Sequence, residues 1–223
     1  MNYRHEVKHE INYSDRLVLR QRLSAVMQPD PHAIDGKYDI TSVYFDNISD
    51  KALREKEDGV NHREKFRIRC YNGDTSYICL EKKSKINDLT AKQAVRITFD
   101  EAKKILAGDI NWMASGEKPL LTELYSKMRA EGLMPKTAVS YTREAYVYAP
   151  GNVRITFDSD IRTGKVSPDV FTKSALNIPA GDPVILLEVK WDGFLPDIIR
   201  QAVNIPSRHS AAFSKYAASR IYD

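Results

Sequence analysis

The sequence predicts an α+β fold in which an eight-stranded antiparallel β-barrel forms a tunnel with peripheral helices. Three observations favour this architecture: strand-like segments run from end to end, several turns between them are short, and six strands alternate charged with apolar residues. Short hairpins with few long crossovers indicate antiparallel pairing. The sequence has no repeat of fixed period and no flexible linker, so we expect one domain over residues 1–223.

Turn residues such as Asp58-Gly59 and Asn72-Gly73-Asp74 bound the predicted strands and are typical of hairpins. The strands cover residues 3–11, 38–45, 63–71, 76–84, 92–99, 137–147, 152–158 and 184–191. Helices are predicted from Ser14 to Val26, from Asp100 to Gly108, and over about 118–131 and 207–221. In the first helix, Ser14-Asp15 is the expected N-cap. Residues 160–181 show no clear pattern.

Composition limits the functional classes. The net charge of +4, from 34 Lys and Arg against 30 Asp and Glu, is too small to predict nucleic-acid binding by itself. Two cysteines, Cys70 and Cys79, do not suggest a disulfide framework, so a cytoplasmic location is the simpler expectation. The sequence shows neither an apolar run of membrane-spanning length nor the apolar core of a signal peptide.

Charged residues recur on one face of six predicted strands, because alternate residues of a strand face opposite sides of the sheet. These faces comprise Arg4, Glu6, Lys8 and Glu10; Arg63, Lys65, Arg67, Arg69 and Tyr71; Glu81, Lys83 and Lys85; Arg96; Arg154, Thr156 and Asp158; and Glu188 and Lys190. The simplest interpretation is that they face water while the apolar sides form a core. However, adjacent like charges destabilise a sheet unless an anion or a carboxylate lies between them.

A barrel with these faces turned inward would enclose a cationic tunnel with scattered carboxylates. Arginine binds phosphate oxygens bidentately and lysine acts as a mobile point charge, so such a tunnel suits a linear polyanion. The carboxylates would be misplaced if anion binding were the sole task. They fit if they hold a divalent cation on the phosphates during phosphoryl transfer.

A family resemblance rests on seven segments that occur in order along nearly the whole chain. They are Tyr44-Phe45-Asp46-Asn47, Lys65-Phe66-Arg67-Ile68-Arg69-Cys70-Tyr71, Leu80-Glu81-Lys82-Lys83-Ser84-Lys85, Tyr141-Thr142-Arg143, Val153-Arg154-Ile155-Thr156-Phe157-Asp158, Leu187-Glu188-Val189-Lys190 and Phe213-Ser214-Lys215-Tyr216. This set resembles the VTC domain, the polyphosphate polymerase domain of the triphosphate tunnel metalloenzymes in the CYTH-like superfamily. The resemblance implies an eight-stranded tunnel that binds ATP and polyphosphate with Mn²⁺ or Mg²⁺.

The resemblance also implies roles for individual residues. The predicted catalytic contacts to phosphate are Lys8, Arg67, Arg69, Lys83, Arg143 and Arg154. The predicted additional substrate-binding residues are Lys56, Lys85, Tyr141, Ser214 and Lys215. Glu188 matches the metal-binding glutamate of the family. Lys56, Arg54 and Arg63 compete for one expected basic position, and Lys56 is favoured.

The sequence departs from the family pattern at two places. Arg4-His5-Glu6-Val7-Lys8 is not the full Glu-x-Glu-x-Lys signature of the superfamily, which disfavours a two-metal triphosphatase site. Ala212 stands where some relatives carry a basic residue. Eukaryotic relatives add a phosphate-sensing module and membrane helices. The sequence shows neither, so coupling to a membrane would require a membrane-protein partner.

The predicted function is a phosphotransferase that moves the terminal phosphoryl group of ATP onto a growing polyphosphate chain. A triphosphatase of the same fold and a non-catalytic polyphosphate-binding module are the alternatives. Aromatic residues do not alternate with the basic ones in the sequence, so RNA is disfavoured and no nucleic-acid partner is expected. Four roles stay open: Glu81 could be an ion-pair partner instead of a metal ligand, Lys82 and Lys190 could be surface charges, and Tyr141 could serve packing alone.

Overall fold

The computed structural model describes residues 4–86, 89–172, 178–205 and 213–220. The strands in these residues are β1 (His5–Ile11), β2 (Gln28–Pro29), β3 (Lys37–Asp46), β4 (His62–Tyr71), β5 (Ile78–Ile86), β6 (Leu89–Ile97), β7 (Met134–Tyr148), β8 (Val153–Gly164), β9 (Ile178–Pro179) and β10 (Ile185–Trp191). The α-helices are α1 (Tyr13–Val26), α2 (Lys51–Glu57), α3 (Phe99–Leu106), α4 (Pro119–Ala130), α5 (Asp197–Ala202) and α6 (Lys215–Ser219). Short 3₁₀ turns occupy Asn111–Ser115 and Pro150–Asn152.

Eight strands form one curled antiparallel sheet in the order β1-β10-β8-β7-β3-β4-β5-β6, while β2 and β9 extend its margins. The curl brings the two ends of the sheet together, because Lys83 Nζ on β5 lies 3.5 Å from Glu6 Oε2 on β1. The predicted eight-stranded antiparallel α+β fold is therefore confirmed. In the described residues no backbone ladder joins β1 to β6, so the sheet is a half-barrel and not a fully closed one.

The register of the strands places the charged residues on the concave face. Lys8 lies opposite Glu188, and Glu188 lies opposite Thr156. On the other side of the sheet, Arg67 lies opposite Glu81. Because the side-chain period of a strand is two, this register places the alternate charged residues around these pairs on the concave face. We call the space that this concave face encloses the lumen.

The convex face is apolar, and helices cover it. Over β5, Leu80 is fully buried in a cluster that includes Leu124 of α4. Over β8, Ile155 packs in a second cluster with Leu23 of α1 and Ile199 of α5. Full burial of such side chains contributes roughly 1.5–3 kcal/mol each. Much of the hydrophobic stabilisation therefore lies outside the lumen, which leaves the concave face free for charged residues.

The helices α1 and α3 begin at capping boxes. Asn12 Oδ1 accepts the backbone N–H of Asp15 at 2.8 Å, and Asp15 accepts that of Asn12 at 3.1 Å. The predicted cap at Ser14-Asp15 is therefore wrong, since Asn12 has an acidic partner at the spacing that a reciprocal cap requires. Thr98 caps α3 in the same way, with Glu101 as its partner.

The C-terminal segment is anchored to the rest of the fold through α2 and β3. The Tyr216 hydroxyl donates to Asp46 Oδ2 at 2.6 Å, and Asp46 is fully buried. Arg220 pairs with Asp50 at 2.7 Å. Of the helix predicted over 207–221, the described residues contain only α6; residues 207–212 and 221 lie outside them.

Several short elements were not predicted. The helices α2 and α5 and the two-residue strands β2 and β9 are too short for a clear periodic pattern. The strand β8 continues past its predicted end at residue 158 to Gly164. In the described part of the chain, no helix combines the length and apolar character needed to cross a membrane.

Candidate functional site

The lumen is a cavity of about 1900 Å³. All of the predicted site residues line it, namely Lys8, Lys56, Arg67, Arg69, Lys83, Lys85, Tyr141, Arg143, Arg154, Glu188, Ser214 and Lys215. Among the described lining residues, 16 are Lys or Arg and four are Asp or Glu. The excess of cations creates a strong positive potential in a partly water-excluded space.

Glu81 is the counter-ion of the predicted arginine pair. Its Oε2 lies 2.6 Å from Arg67 Nη2 and 3.9 Å from Arg69 Nη1, while its Oε1 lies 2.6 Å from Lys92 Nζ. Burial raises the pKa of Glu81, but Arg67 and Arg69 outweigh burial and lower the pKa to about 2. Its contacts favour the ion-pair role over the metal-ligand role for Glu81.

Glu188 lies at the centre of a second charged group. Its carboxylate is 2.8 Å from Lys190 Nζ, 3.5 Å from Lys8 Nζ and 3.8 Å from Arg143 Nη2. Burial opposes ionisation, yet Lys190, Lys8 and Arg143 hold the pKa of Glu188 well below its usual value. Glu6 lies beside it and shares Lys8 and Lys190. Lys190 is therefore a lumen residue and not an isolated surface charge.

Asp158 joins β7 to the C-terminal segment. This fully buried carboxylate accepts two hydrogen bonds from Arg143, at 2.6 and 2.7 Å. Its Oδ2 also lies 2.6 Å from Lys215 Nζ. The Tyr141 ring lies beside the same two cations, with Lys215 Nζ 4.6 Å and the Arg143 guanidinium 5.4 Å from its centre. Tyr141 therefore contacts the charged groups of the lumen in addition to packing.

Arg154 and Lys56 also line the lumen. Arg154 donates to the Tyr38 hydroxyl at 2.6 Å and pairs with the buried Asp30. Both Lys56 and Arg63 line the cavity, and the described lining residues do not include Arg54. Burial and the neighbouring Arg63 lower the pKa of Lys56. The preference for Lys56 stays a prediction, because Arg63 also lines the cavity and lies close enough to affect the pKa of Lys56.

Lys65 and Tyr44 were absent from the predicted site. Burial, with Arg67 and Lys83 nearby, lowers the pKa of Lys65 to about 8. Burial raises the pKa of the Tyr44 hydroxyl, but Arg67 and Lys65 lower it to about 7. The strand alternation already pointed to Lys65, whereas Tyr44 is recognisable only from its register opposite Arg67 on β4.

Aromatic rings lie among the basic residues of the lumen, although aromatic and basic residues do not alternate in the sequence. The guanidinium of Arg69 lies 5.9 Å from the Tyr71 ring centre, and that of Arg96 lies 5.4 Å from the Tyr77 ring centre. Tyr77 immediately precedes β5, and Arg96 lies on the neighbouring strand β6, opposite Cys79. Their proximity follows from the pairing of β5 with β6 and could not be seen in any one segment.

Oxygen donors suited to Mg²⁺ or Mn²⁺ surround Glu188. Glu6 supplies a second carboxylate, and the buried Thr156 hydroxyl opposite Glu188 has no hydrogen-bond partner among the described residues. The described residues contain no group of three His, Cys, Asp or Glu able to hold a metal ion on their own. The site therefore fits a cation that one or two carboxylates hold together with substrate phosphates, which is the usual mode of Mg²⁺.

Comparison with known proteins identifies a family. The sequence model of the VTC domain matches residues 3–221. No match was found among curated protein sequences. The PH1012 protein of Pyrococcus horikoshii is 13% identical over 96% of this chain and 97% of its own, with a TM-score of 0.48. An adenylate cyclase candidate from Bacillus halodurans is 12% identical over 91% of this chain and 85% of its own, with a TM-score of 0.47. Similarity at this level assigns no shared activity.

Proposed function

Because the chain belongs to the VTC domain family, we propose that it is a metal-dependent polyphosphate polymerase. It transfers the terminal phosphoryl group of ATP to a growing polyphosphate chain held in the lumen. The observation that carries this proposal is the convergence of lysines and arginines from seven strands and the C-terminal segment around the buried carboxylate of Glu188. A cavity with this charge matches a linear polyanion better than a neutral metabolite.

The lumen cations bind and orient the phosphates. In the absence of substrate, carboxylates neutralise the guanidinium groups: Glu81 pairs with Arg67, and Asp158 pairs with Arg143. Phosphate oxygens would accept from the remaining N–H groups of these arginines, whose orientation the carboxylates already fix. Preorganised donors of this kind stabilise developing charge without reorganising during the reaction.

The transfer itself needs no side-chain nucleophile. The bond breaks between the terminal phosphorus of ATP and the oxygen that bridges it to the β-phosphate, and ADP leaves with the electron pair. A new bond forms between this phosphorus and an anionic oxygen of the terminal phosphate of the acceptor chain. Because that oxygen is already deprotonated, the protein contributes alignment and charge stabilisation.

A divalent cation completes the proposal. Glu188, with Glu6 beside it, would hold Mn²⁺ or Mg²⁺ on the phosphates. The cation would supply charge neutralisation at the transferring group. Lys8 and Lys190, which now pair with both carboxylates, would then be free to contact phosphate oxygens.

The proposal takes residues 1–223 as one domain that acts in the cytoplasm. The free and buried thiols of Cys70 and Cys79 agree with a reducing compartment. A membrane-protein partner that receives the polymer is compatible with it.

Replacing Glu188 with Gln tests the proposal. Wild-type protein is incubated with ATP and Mn²⁺ or Mg²⁺, and the products are separated on a gel that resolves polyphosphate from free phosphate. We expect wild-type protein to form long polymer, and Glu188→Gln to lose at least 100-fold in rate because it loses a carboxylate at the phosphates. Glu123→Gln on α4 is the matched control, since Glu123 pairs with Lys82 on the convex side of the sheet.

The products separate the alternatives. Release of free phosphate without polymer would identify a triphosphatase. Tight, salt-sensitive binding of polyphosphate with no turnover in either metal would identify a binding module and contradict the polymerase. Metal-free binding of inorganic tripolyphosphate to Glu188→Gln shows whether the variant keeps its folded lumen. Unchanged turnover in a folded Glu188→Gln protein would remove the metal role of Glu188.

A further inference from the structure

One end of the lumen carries a row of aromatic side chains. The ring centres of Tyr38 and Tyr71 are 6.0 Å apart, and those of Tyr71 and Tyr77 are 6.4 Å apart. All three rings line the cavity. Tyr77 keeps 48% of its surface exposed. Adjoining aromatic side chains that line a concave site together with a few polar groups are typical of ligand pockets.

Fixed cations accompany these rings. Arg96 lies 5.4 Å from the Tyr77 ring centre, and its Nη2 donates to the carbonyl oxygen of Ser76 at 2.7 Å. Arg69 lies 5.9 Å from the Tyr71 ring centre and donates to the Tyr141 hydroxyl at 3.2 Å. Planar guanidinium groups held beside aromatic rings provide stacking surfaces for planar heterocycles.

Polar side chains are held at the edge of the same surface. Asn72 Oδ1 accepts the backbone N–H of Asp39 at 2.8 Å. Asp74 Oδ1 accepts the backbone N–H of Ser76 at 2.8 Å. Asn72, Asp74 and Ser76 also line the cavity. Polar groups of this kind can accept or donate hydrogen bonds at the edge of a heterocyclic base or at a ribose.

The rings stand at a suitable distance from the phosphate-binding arginines. Arg67, Arg69 and Tyr71 are alternate residues of β4, so all three face the lumen. Their spacing places Tyr71 about 13 Å along the strand from Arg67. This distance accommodates a triphosphate and a ribose in extended form between Arg67 and the rings, and Arg69, 5.9 Å from the Tyr71 ring centre, lies along that path.

We propose that Tyr71, Tyr77 and Arg96 form a platform that binds the nucleobase of a nucleoside triphosphate whose phosphates lie in the lumen. The platform rests on the proposed function, because it orients the same substrate. The platform also distinguishes the two ends of the lumen. The nucleoside lies at the turn between β4 and β5, and the acceptor chain lies toward Lys83 and Lys85. Recognition by stacking favours a large base, so purines bind more tightly than pyrimidines.

The test compares two ligands that differ in the presence of a nucleoside. The affinities of ATP and of inorganic tripolyphosphate are measured by calorimetry for wild-type protein and for Tyr77→Ala. We expect Tyr77→Ala to weaken ATP binding about tenfold, the usual effect of removing one stacked aromatic side chain, and to leave tripolyphosphate binding within about twofold. Tyr77→Phe should keep near wild-type affinity for both ligands. Tyr13→Ala on α1, which removes another exposed tyrosine, should change neither affinity.

The outcomes distinguish the platform from the proposed function. If Tyr77→Ala binds ATP as wild-type protein does, or loses both ligands equally, the platform is wrong and the lumen proposal stands. If wild-type protein binds neither ligand, the proposed function fails and the platform fails with it. Equal wild-type affinities for ATP and tripolyphosphate would also overturn the platform, because the nucleoside would then contribute nothing.

Discussion

The two sides of the curled sheet use charge differently, and the neighbouring residues Lys82 and Lys83 show how. Lys82, at the rim of the cavity, turns its ammonium to the convex side, where Glu64 lies at 2.9 Å and Glu123 also pairs with it. Lys83 faces the lumen and lies 3.5 Å from a carboxylate oxygen of Glu6 that it shares with Lys190. On the convex side carboxylates match the cations, whereas in the lumen cations exceed them. The binding site is therefore recognised by cations that exceed the neighbouring carboxylates, and not by the presence of charged residues alone.

The largest effect expected from this comparison follows the removal of a lumen counter-ion. Glu81→Gln leaves Arg67, Arg69 and Lys92 uncompensated in a partly buried space. The folded-state pKa of about 2, against an ordinary value of 4.5, corresponds to about 3 kcal/mol of stability at neutral pH. We expect Glu81→Gln to lower the free energy of unfolding at pH 7 by this order, as measured by urea denaturation.

The pH dependence provides the check on this prediction. Because the pKa of Glu81 is lowered in the folded protein, its contribution is fully present above pH 4.5 and is lost as the pH falls toward 2. The difference between wild-type protein and Glu81→Gln should shrink over that range. Glu123→Gln, whose carboxylate side chain is 35% exposed on the convex side, should cost less than about 1 kcal/mol. Equal losses in the two variants would contradict the comparison.

The next effect compares the two lysines directly. Lys83→Met removes a lumen cation that charge-assisted contact to phosphate would use, so the affinity for tripolyphosphate should fall about 10- to 100-fold. Lys82→Met should leave that affinity within about twofold and should lower the melting temperature instead, because it breaks the contacts to Glu64 and Glu123. Calorimetry and thermal denaturation of both variants measure the two effects. The comparison breaks if the two substitutions weaken binding equally.

The smallest effect is a pH dependence of binding at Lys65. Its pKa of about 8 means that the ammonium loses its proton as the pH rises through 8 in the ligand-free protein. The affinity for tripolyphosphate should fall by up to about tenfold between pH 7 and 9, since the anion prefers the protonated form. Ionisation of Tyr44, whose pKa is about 7, acts in the same direction.

Lys65→Met isolates this contribution. The ionisation of the ligand is common to both proteins, so it cancels when their pH profiles are compared. The variant should bind more weakly at pH 7 and should show the shallower dependence on pH. Parallel profiles for the two proteins would assign the pH dependence to another group.

Strand alternation predicted much of the fold and the site, because each charged face could be identified within one segment. Arg67, Arg69 and Glu188 point into the lumen because alternate residues of a strand share one face and the sheet curls around that face. Partners that lie on distant segments could not be predicted in this way. Asp30, which holds Arg154, comes from an irregular stretch near β2 that carries no period. The position of Tyr77 beside Arg96 depends on the turn between β4 and β5 and on the pairing of β6.

Cap positions depend on residue spacing as well as residue type. Asn12 and Ser14 are both good N-cap residues, and residue type alone favours neither. The choice was decided by Asp15, which lies three residues after Asn12 and completes the reciprocal cap. The capping-box spacing identifies Asn12, because Leu17, three residues after Ser14, has no side-chain acceptor for a reciprocal cap.

The pairing of β1 with β10 has a consequence for folding. His5 lies opposite Trp191, so this ladder joins segments from opposite parts of the described chain. Contacts between such distant segments form slowly, because the entropy of closing a long loop must be overcome first. Lys8 and Glu6 reach Glu188 only when this ladder forms. During refolding, tripolyphosphate binding should therefore appear only as the β1–β10 ladder forms. The rate at which binding appears measures the rate of forming these distant contacts.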